Sequence, residues 1–310
     1  MDPLPIAPPE PRDDLLREIR DAECLGTTSD GKRIHVFKSR GYSSVMRELG
    51  RLREIAFRDA GEGTGRERDV DVFDTYYRHV LLWDEADGEI VGAYRIGEAL
   101  EILAARGARG FYSHTLFDFG DALHERLPAA LELGRSFVQP RYQGLRSLDS
   151  LWQGVGAYLA RRPHVRYLFG PVSVSAGYPE SARKLLVYFY RRYFGLSVRM
   201  AHARRPFVIA PEEEQALAAM LPGNDYARDF RALKSFLNEA GVGIPTLYKQ
   251  YTELCDEGGA HFLGFGIDPA FAGCLDGLVW VDLERVKPAK RERYLRAPGQ
   301  VPARDAAEIA

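Results

Sequence analysis

Apolar and polar positions along the 310-residue chain switch repeatedly between two periods, and the switches outline its elements. Residues 13–24 open with acids and then space their apolar positions helically, which predicts a short helix. RIHVFK at 33–38 alternates as an edge strand does. Val45, Leu49, Leu52 and Ala56 share one stripe, predicting a helix over 44–59. GEGTGRERD at 61–69, with three glycines, reads as a flexible charged loop. HVLLW at 79–83 and EIVGAYRI at 89–96 are strand-like, and DEADG between them supplies the acids and glycine of a hairpin turn.

Further along, helices are predicted at 98–106 and near 119–126, and a strand at 130–138 that Pro140 stops. An amphipathic helix follows over 148–161. The nearly continuous apolar run 165–175 predicts a central strand. Pro179 suits the first turn of a helix over 179–194. Three more helices are predicted within 211–254, broken at PGND and GVGIP, before a final strand pair at 261–267 and 275–283. This order predicts an α/β fold with one mixed, mostly antiparallel sheet flanked by helices, and with 130–138 and 165–175 at its centre. No boundary divides two domains. The organisation expected is a flexible tail and lead-in helix at 1–30, a single domain at 31–286, and a charged tail at 287–310 that frays.

Composition narrows the class. With 45% hydrophobic and 28% charged residues the chain is ordinary globular protein, not a disordered, collagen-like or disulfide-scaffold one. No run of 18 apolar residues is present to span a membrane. MDPLPIAPPEPR has five prolines and no apolar core, so it reads as a tail rather than a signal peptide. Cys24, Cys255 and Cys274 form no CxxC, which suits a reducing cytoplasm and argues against structural zinc. Seven histidines without HxH or HExxH give no metal site, and no bound cofactor is expected. The net charge of −2 hides an asymmetry: residues 135–205 hold thirteen Lys/Arg against Asp149 and Glu180. A basic middle in an acidic frame reads as a docking surface for an anionic partner, or as arginines paired with acids elsewhere in the fold.

The sharpest chemistry lies at Glu132-Leu-Gly-Arg135-Ser-Phe-Val-Gln-Pro140-Arg-Tyr-Gln-Gly144-Leu-Arg146. Glu132 and Arg135 interrupt an apolar strand, and buried charges need partners. Arg141, Gly144 and Arg146 then lead into a helix start, where free N–H groups bind phosphate. An ordinary turn accounts for one glycine equally well. Ser113 and Ser136 lack a G-x-S-x-G elbow and are not read as nucleophiles. His79 on an apolar strand reads as a core histidine.

Together these segments resemble the GNAT acyltransferase superfamily, and most closely its ornithine-lipid and hemolysin-like branch, related to acyl-homoserine-lactone synthases. Asp71-Val-Phe-Asp74 with His79-Val-Leu-Leu-Trp-Asp84, Ile90-Val-Gly-Ala-Tyr-Arg95, Gly110-Phe-Tyr-Ser113 with Leu116-Phe-Asp118, and Glu132-Leu-Gly-Arg135-Ser136 look like that branch's motifs, in its order. The ending Ile244-Pro-Thr-Leu-Tyr-Lys-Gln-Tyr251, Asp268-Pro-Ala-Phe271 and Asp276 looks like a degenerate form of its last motif. Arg141-Tyr-Gln-Gly144-Leu-Arg146 resembles the superfamily's pyrophosphate loop, with arginine where a small residue is usual. A helical insertion near 178–240 departs from the shorter ornithine enzymes.

The resemblance implies transfer of a long, often 3-hydroxylated acyl chain from acyl carrier protein to the α-amine of an amino acid such as ornithine, giving a lyso-aminolipid. It implies Glu132 and Asp74 as candidate bases, and Arg95, Arg135 and Asp71 as contacts to the acceptor. It also implies Arg141, Gly144 and Arg146 as contacts to the donor's phosphopantetheine. Acidic carrier proteins suit the basic stretch, and a lipophilic product suits peripheral contact with the inner membrane face. The other readings are an autoinducer-synthase-like amino-acid N-acyltransferase, and an inactive GNAT-fold binding module. Nucleic acid is not expected, because the basic residues are not interleaved with aromatics as a stacking platform.

Overall fold

The computed structural model describes residues 3–144 and 146–295. Residues 3–11 lie along the surface, with Leu4 N–H donating to Gly65 O at 2.8 Å and Ala7 buried. The expected loose tail is therefore docked; a proline-rich segment is already extended and loses little entropy on docking. Helix α1 (Arg12–Arg20) ends at Asp21, earlier than predicted, and strand β1 (Glu23–Thr27) follows. Next come β2 (Arg33–Phe37) and α2 (Ser44–Asp59). Ser43 Oγ caps α2 by accepting from Met46 N–H at 3.0 Å, and Glu18 accepts from Ser44 N–H at 2.7 Å. The 61–69 loop is tied down rather than flexible, since the buried Glu54 carboxylate accepts from the N–H groups of Thr64 and Gly65.

The hairpin forms as predicted, from β3 (Arg78–Asp84) and β4 (Glu89–Glu98). It leads to α3 (Ala99–Arg106), β5 (Phe117–Phe119), α4 (Asp121–His124) and β6 (Ala130–Val138). Helix α5 (Ser147–Ala160) crosses over to β7 (Tyr167–Val174). The helical stretch then supplies α6 (Glu180–Phe194), β8 (Ala201–Ala203), α7 (Pro211–Met220), α8 (Tyr226–Glu239) and α9 (Thr246–Leu254). Strands β9 (Ala260–Asp268) and β10 (Cys274–Asp282) precede α10 (Pro288–Tyr294). Residues 288–294 do not fray. Tyr294 is buried, and its hydroxyl donates to Asp149 at 2.7 Å. The remainder of the predicted tail, 296–310, lies outside the described residues.

The main sheet has eight strands in the order β1-β2-β3-β4-β6-β7-β10-β9. Every neighbouring pair is antiparallel except β6–β7. The two strands predicted to be central are that parallel pair. Alternate residues point to opposite faces. One core, with Val80, Leu82, Tyr94 and Leu133, lies under α5 and α6. On the other face, Phe37, Leu81, Ala93 and Phe137 pack under α1 and α2, and Phe111, Phe169 and Trp280 form a further cluster. Strands β5 and β8 pair in a separate short sheet that the pattern did not predict.

Candidate functional site

Strands β6 and β7 pair only at Ala130–Tyr167, Leu131–Leu168 and Glu132–Phe169, then separate. Gly170 marks the parting: a Cβ there would lie 1.9 Å from Leu133 O. On its other edge β6 carries a bulge against β4, where the register shifts between Ala93 and Arg95. Arg135 in this bulge adopts φ 48°, unusual for a residue with a side chain. The gap is a cavity of about 330 Å³. Its walls come from both faces of the sheet. Tyr94, Leu133, Val172 and Val174 belong to the core under α5 and α6, whereas Phe57 and Phe271 belong to that under α2.

Beside the cavity lies a closed charge network. Arg53, 1% exposed on α2, donates to both Asp74 oxygens at 2.9 and 2.8 Å. Arg95 donates to Asp71 at 2.7 Å and to Asp74 at 3.2 Å. Arg135 pairs with Asp69 at 2.9 Å and donates to the Tyr112 hydroxyl at 3.1 Å. Three aspartates thus balance three arginines. Burial alone would raise the Asp74 carboxyl, but Arg53 and Arg95 outweigh it and hold Asp74 well below the usual range. Burial pushes His79 down to about 3, so it stays neutral.

This geometry bears on two expected roles. Asp74 is fully engaged by protein cations, so it is not a free base. Arg95 gives Nη1 to both Asp71 and Asp74, so its charge is already paired with protein carboxylates. Asp71 caps the turn at 72–75, accepting from Phe73 N–H at 2.9 Å. Of the network's charged residues only Arg135 lines the cavity, together with its partner Tyr112.

Glu132 is 2% exposed and does not line the cavity. It accepts from Tyr77 Oη, from Ser113 N–H at 2.6 Å, from Ser113 Oγ, and from Tyr112 N–H at 3.2 Å. Neither Asp74 nor Arg95 is within ion-pair or hydrogen-bond distance of it. Burial raises its proton affinity, partly offset by the Ser113 and Tyr77 hydrogen bonds. Its contacts fasten residues 112–113 to β6, and the expected role as base does not fit a carboxylate so filled.

Of the candidate donor contacts, Arg141 pairs with Asp87 and Glu89 across the hairpin turn. Gly144 has φ 76°, and the exposed Arg146 precedes α5 with no ion pair among the described residues. Most of the basic stretch is paired likewise: Arg161 with Glu23, Arg162 with Glu98, Arg166 with Asp282, and Arg204 with Asp118.

The cavity also presents groups that sequence reasoning did not single out as site residues. Burial raises Glu62 to about 7, against the pull of Arg135. Burial likewise raises Asp276 to about 7; Asp268 and Glu62 add to this, while Ser173 and Arg135 oppose it. The Tyr94 hydroxyl, 1% exposed, closes no hydrogen bond, though Ser136 and Tyr251 stand near. Asp276 and Tyr94 each fall inside a motif quoted above. Glu62 sits in the glycine-rich loop, where nothing in the sequence marks it. Among the described residues no three His, Cys, Asp or Glu side chains gather to hold a metal ion.

Residues 52–153 match the acetyltransferase (GNAT) domain family. A glycine N(alpha)-acyltransferase of Bacteroides thetaiotaomicron is 31% identical over 283 residues, covering 87% of this chain and 83% of that protein. An L-ornithine N(alpha)-acyltransferase of Brucella abortus is 31% identical over 234 residues, covering 71% of this chain and 72% of that one. Among solved structures, the CoA-dependent acyl-homoserine lactone synthase MesI aligns at 14% identity with a TM-score of 0.33, over 76% of each chain.

Proposed function

The chain belongs to the GNAT N-acyltransferases that include the glycine and ornithine Nα-acyltransferases, and from that premise we propose that it moves a long acyl chain from a carrier-bound thioester onto the α-amine of an amino acid. The observation that carries this reading is the cavity between the parted strands β6 and β7. It has apolar walls for a thioester arm and acidic groups, Glu62 and Asp276, to draw an ammonium. The product is a lyso-aminolipid, and 3-hydroxyacyl chains are the donors to test first.

The donor is acyl carrier protein rather than coenzyme A. Arg146 stands exposed at the start of α5, where it suits a single phosphate on an acidic partner, while a small residue would better fit a diphosphate. A lipophilic product suits peripheral contact with the inner membrane face; no helix among the described residues is long and apolar enough to cross a membrane. The test is product mass spectrometry after incubation with matched acyl chains on carrier protein and on CoA, with glycine and ornithine offered separately. Amide formation with carrier-borne chains supports the reading. Equal efficiency with CoA removes the carrier assignment, and no amide from either amino acid removes the acceptor assignment.

A further inference from the structure

Transfer to an amino acid requires that an ammonium lose a proton before its nitrogen attacks, so a group in the cavity must take that proton. The two carboxylates that motif reasoning favours are already filled: Asp74 by Arg53 and Arg95, Glu132 by Tyr77, Ser113 and Tyr112. Asp276 is not. It lies on β10 directly opposite Ser173 of β7, one strand from the gap, and lines the cavity while 2% exposed. Ser173 Oγ donates to its Oδ1 at 2.7 Å, and no donor reaches Oδ2 among the described residues. Resting on the N-acyltransferase reading, we propose that Asp276 is the catalytic base for the acceptor amine, with Ser173 as its positioning residue.

The surroundings suit that role. Asp268 faces Asp276 from β9, Glu62 from the segment after α2, and Tyr248 from α9, with Cys274 two residues away on its own strand. Arg135 from β6 is the opposing cation, and its own partners are Asp69, Asp71 and Tyr112. Acids thus outnumber the one committed cation. A carboxylate so placed has a raised proton affinity, so once ionised near neutral pH it takes a proton readily and can return it to water, as a general base must. A second observation points to a ligand. The buried Tyr94 hydroxyl lines the same cavity with no partner in hydrogen-bond geometry among the described residues, though Ser136, Tyr251 and Trp152 stand near, and a thioester carbonyl oxygen in the gap would supply an acceptor.

The step balances. Asp276 takes one proton from the acceptor ammonium. The free nitrogen attacks the thioester carbonyl carbon, the C–N bond forms and the C–S bond breaks. The nitrogen's second proton leaves with the sulfur as thiol, and Asp276 returns its proton to water.

The test compares wild type with Asp276→Asn, Ser173→Ala and Glu62→Gln, reading kcat against pH and acyl-donor affinity. We expect Asp276→Asn to lower kcat by about 10²–10⁴-fold, the range for loss of a general base, with donor affinity kept. The wild-type rate should rise through about pH 7, where Asp276 ionises. Ser173→Ala should move that limb upward, because it removes a hydrogen bond to the charged form. A loss below about 10-fold in Asp276→Asn, under the general-base range, overturns the assignment, as does a limb that vanishes with Glu62→Gln instead. Should the Asn variant not fold, Ser173→Ala decides alone, and an unmoved limb overturns the proposal. A wild type that makes no amide from any amino acid overturns the acyltransferase reading itself, a result distinct from amide made equally by wild type and Asp276→Asn.

Discussion

Glu132 and Asp276 are both acids on strands, both 2% exposed, and they differ in what surrounds them. Glu132 meets donors from every side, so replacing it with glutamine leaves tyrosine, serine and backbone donors short of an acceptor. We expect Glu132→Gln to cost about 1–3 kcal/mol of stability, seen as a lowered melting temperature. The rate per folded molecule should fall well short of the ~10²-fold loss of a general base. Asp276 behaves oppositely. Its proton affinity is raised in the fold to about 7, against about 4 for an unfolded aspartate, so it opposes folding increasingly as pH climbs from about 4 to about 7 and by a constant amount above that. Asp276→Asn should therefore melt higher than wild type at pH 8, by of order 1–4 kcal/mol, and match it at pH 4. For Asp74 the sign reverses. Its depressed carboxyl contributes stability above the ordinary aspartate range, and that stability is lost as pH falls. A sequence shows that a charge in an apolar strand needs a partner. It does not show whether the partner is protein or substrate, and this is why Glu132, Asp74 and Arg95 were legible as charges that need partners while the partners themselves, Arg53, Tyr77 and Ser113 among them, were not.

At the scale of elements, the long periodic segments were readable and the short ones were not. Strands β3, β4, β6, β7 and β10, and helices α2, α5 and α6, sit close to where the pattern places them, because each buries a whole face. Strands β5 and β8 have three residues each, too few for a period to show, and β1 continues directly from a helical pattern. The C-terminal segment misled because PAKRERY is mostly charged, yet one aromatic, Tyr294, anchors it. The docking of α10 is close-fitting. A Cβ on Gly156 of α5 would lie 1.5 Å from Tyr294 O. Gly156→Ala should force α10 outward and cost about 1–3 kcal/mol, the usual range for overpacking, with increased proteolysis of the C-terminal segment as the local readout. The parting of β6 and β7 was not legible either. Both strands read as apolar and central, and only their pairing register shows that they separate after three residues.

Over the whole molecule, most of the basic stretch that reads as one surface resolves into separate pairs. Arg161 lies against Glu23 and Arg162 against Glu98. Charge clustered in sequence is dispersed by the fold, so an exposed pair such as Arg161–Glu23 contributes little either to stability or to docking. Arg146 is exposed beside the start of α5 and has no ion pair among the described residues. With an acyl-carrier donor, Arg146→Glu should raise the Michaelis constant markedly and Arg161→Glu only slightly, in both cases with little change in turnover. The larger effect should fade with added salt, screened over about 10 Å at 0.1 M. The double-sided lining of the cavity bears on the order of events. Tyr94, Leu133, Val172 and Val174 line it from the α5 and α6 side, and Phe57 and Phe271 from the α2 side, and on the proposed function this division favours separate seats for the thioester arm and the amino acid. If both substrates are held at once and the acyl group does not rest on the protein, initial-rate plots at several fixed acceptor concentrations should intersect; parallel lines would point instead to an acyl-enzyme.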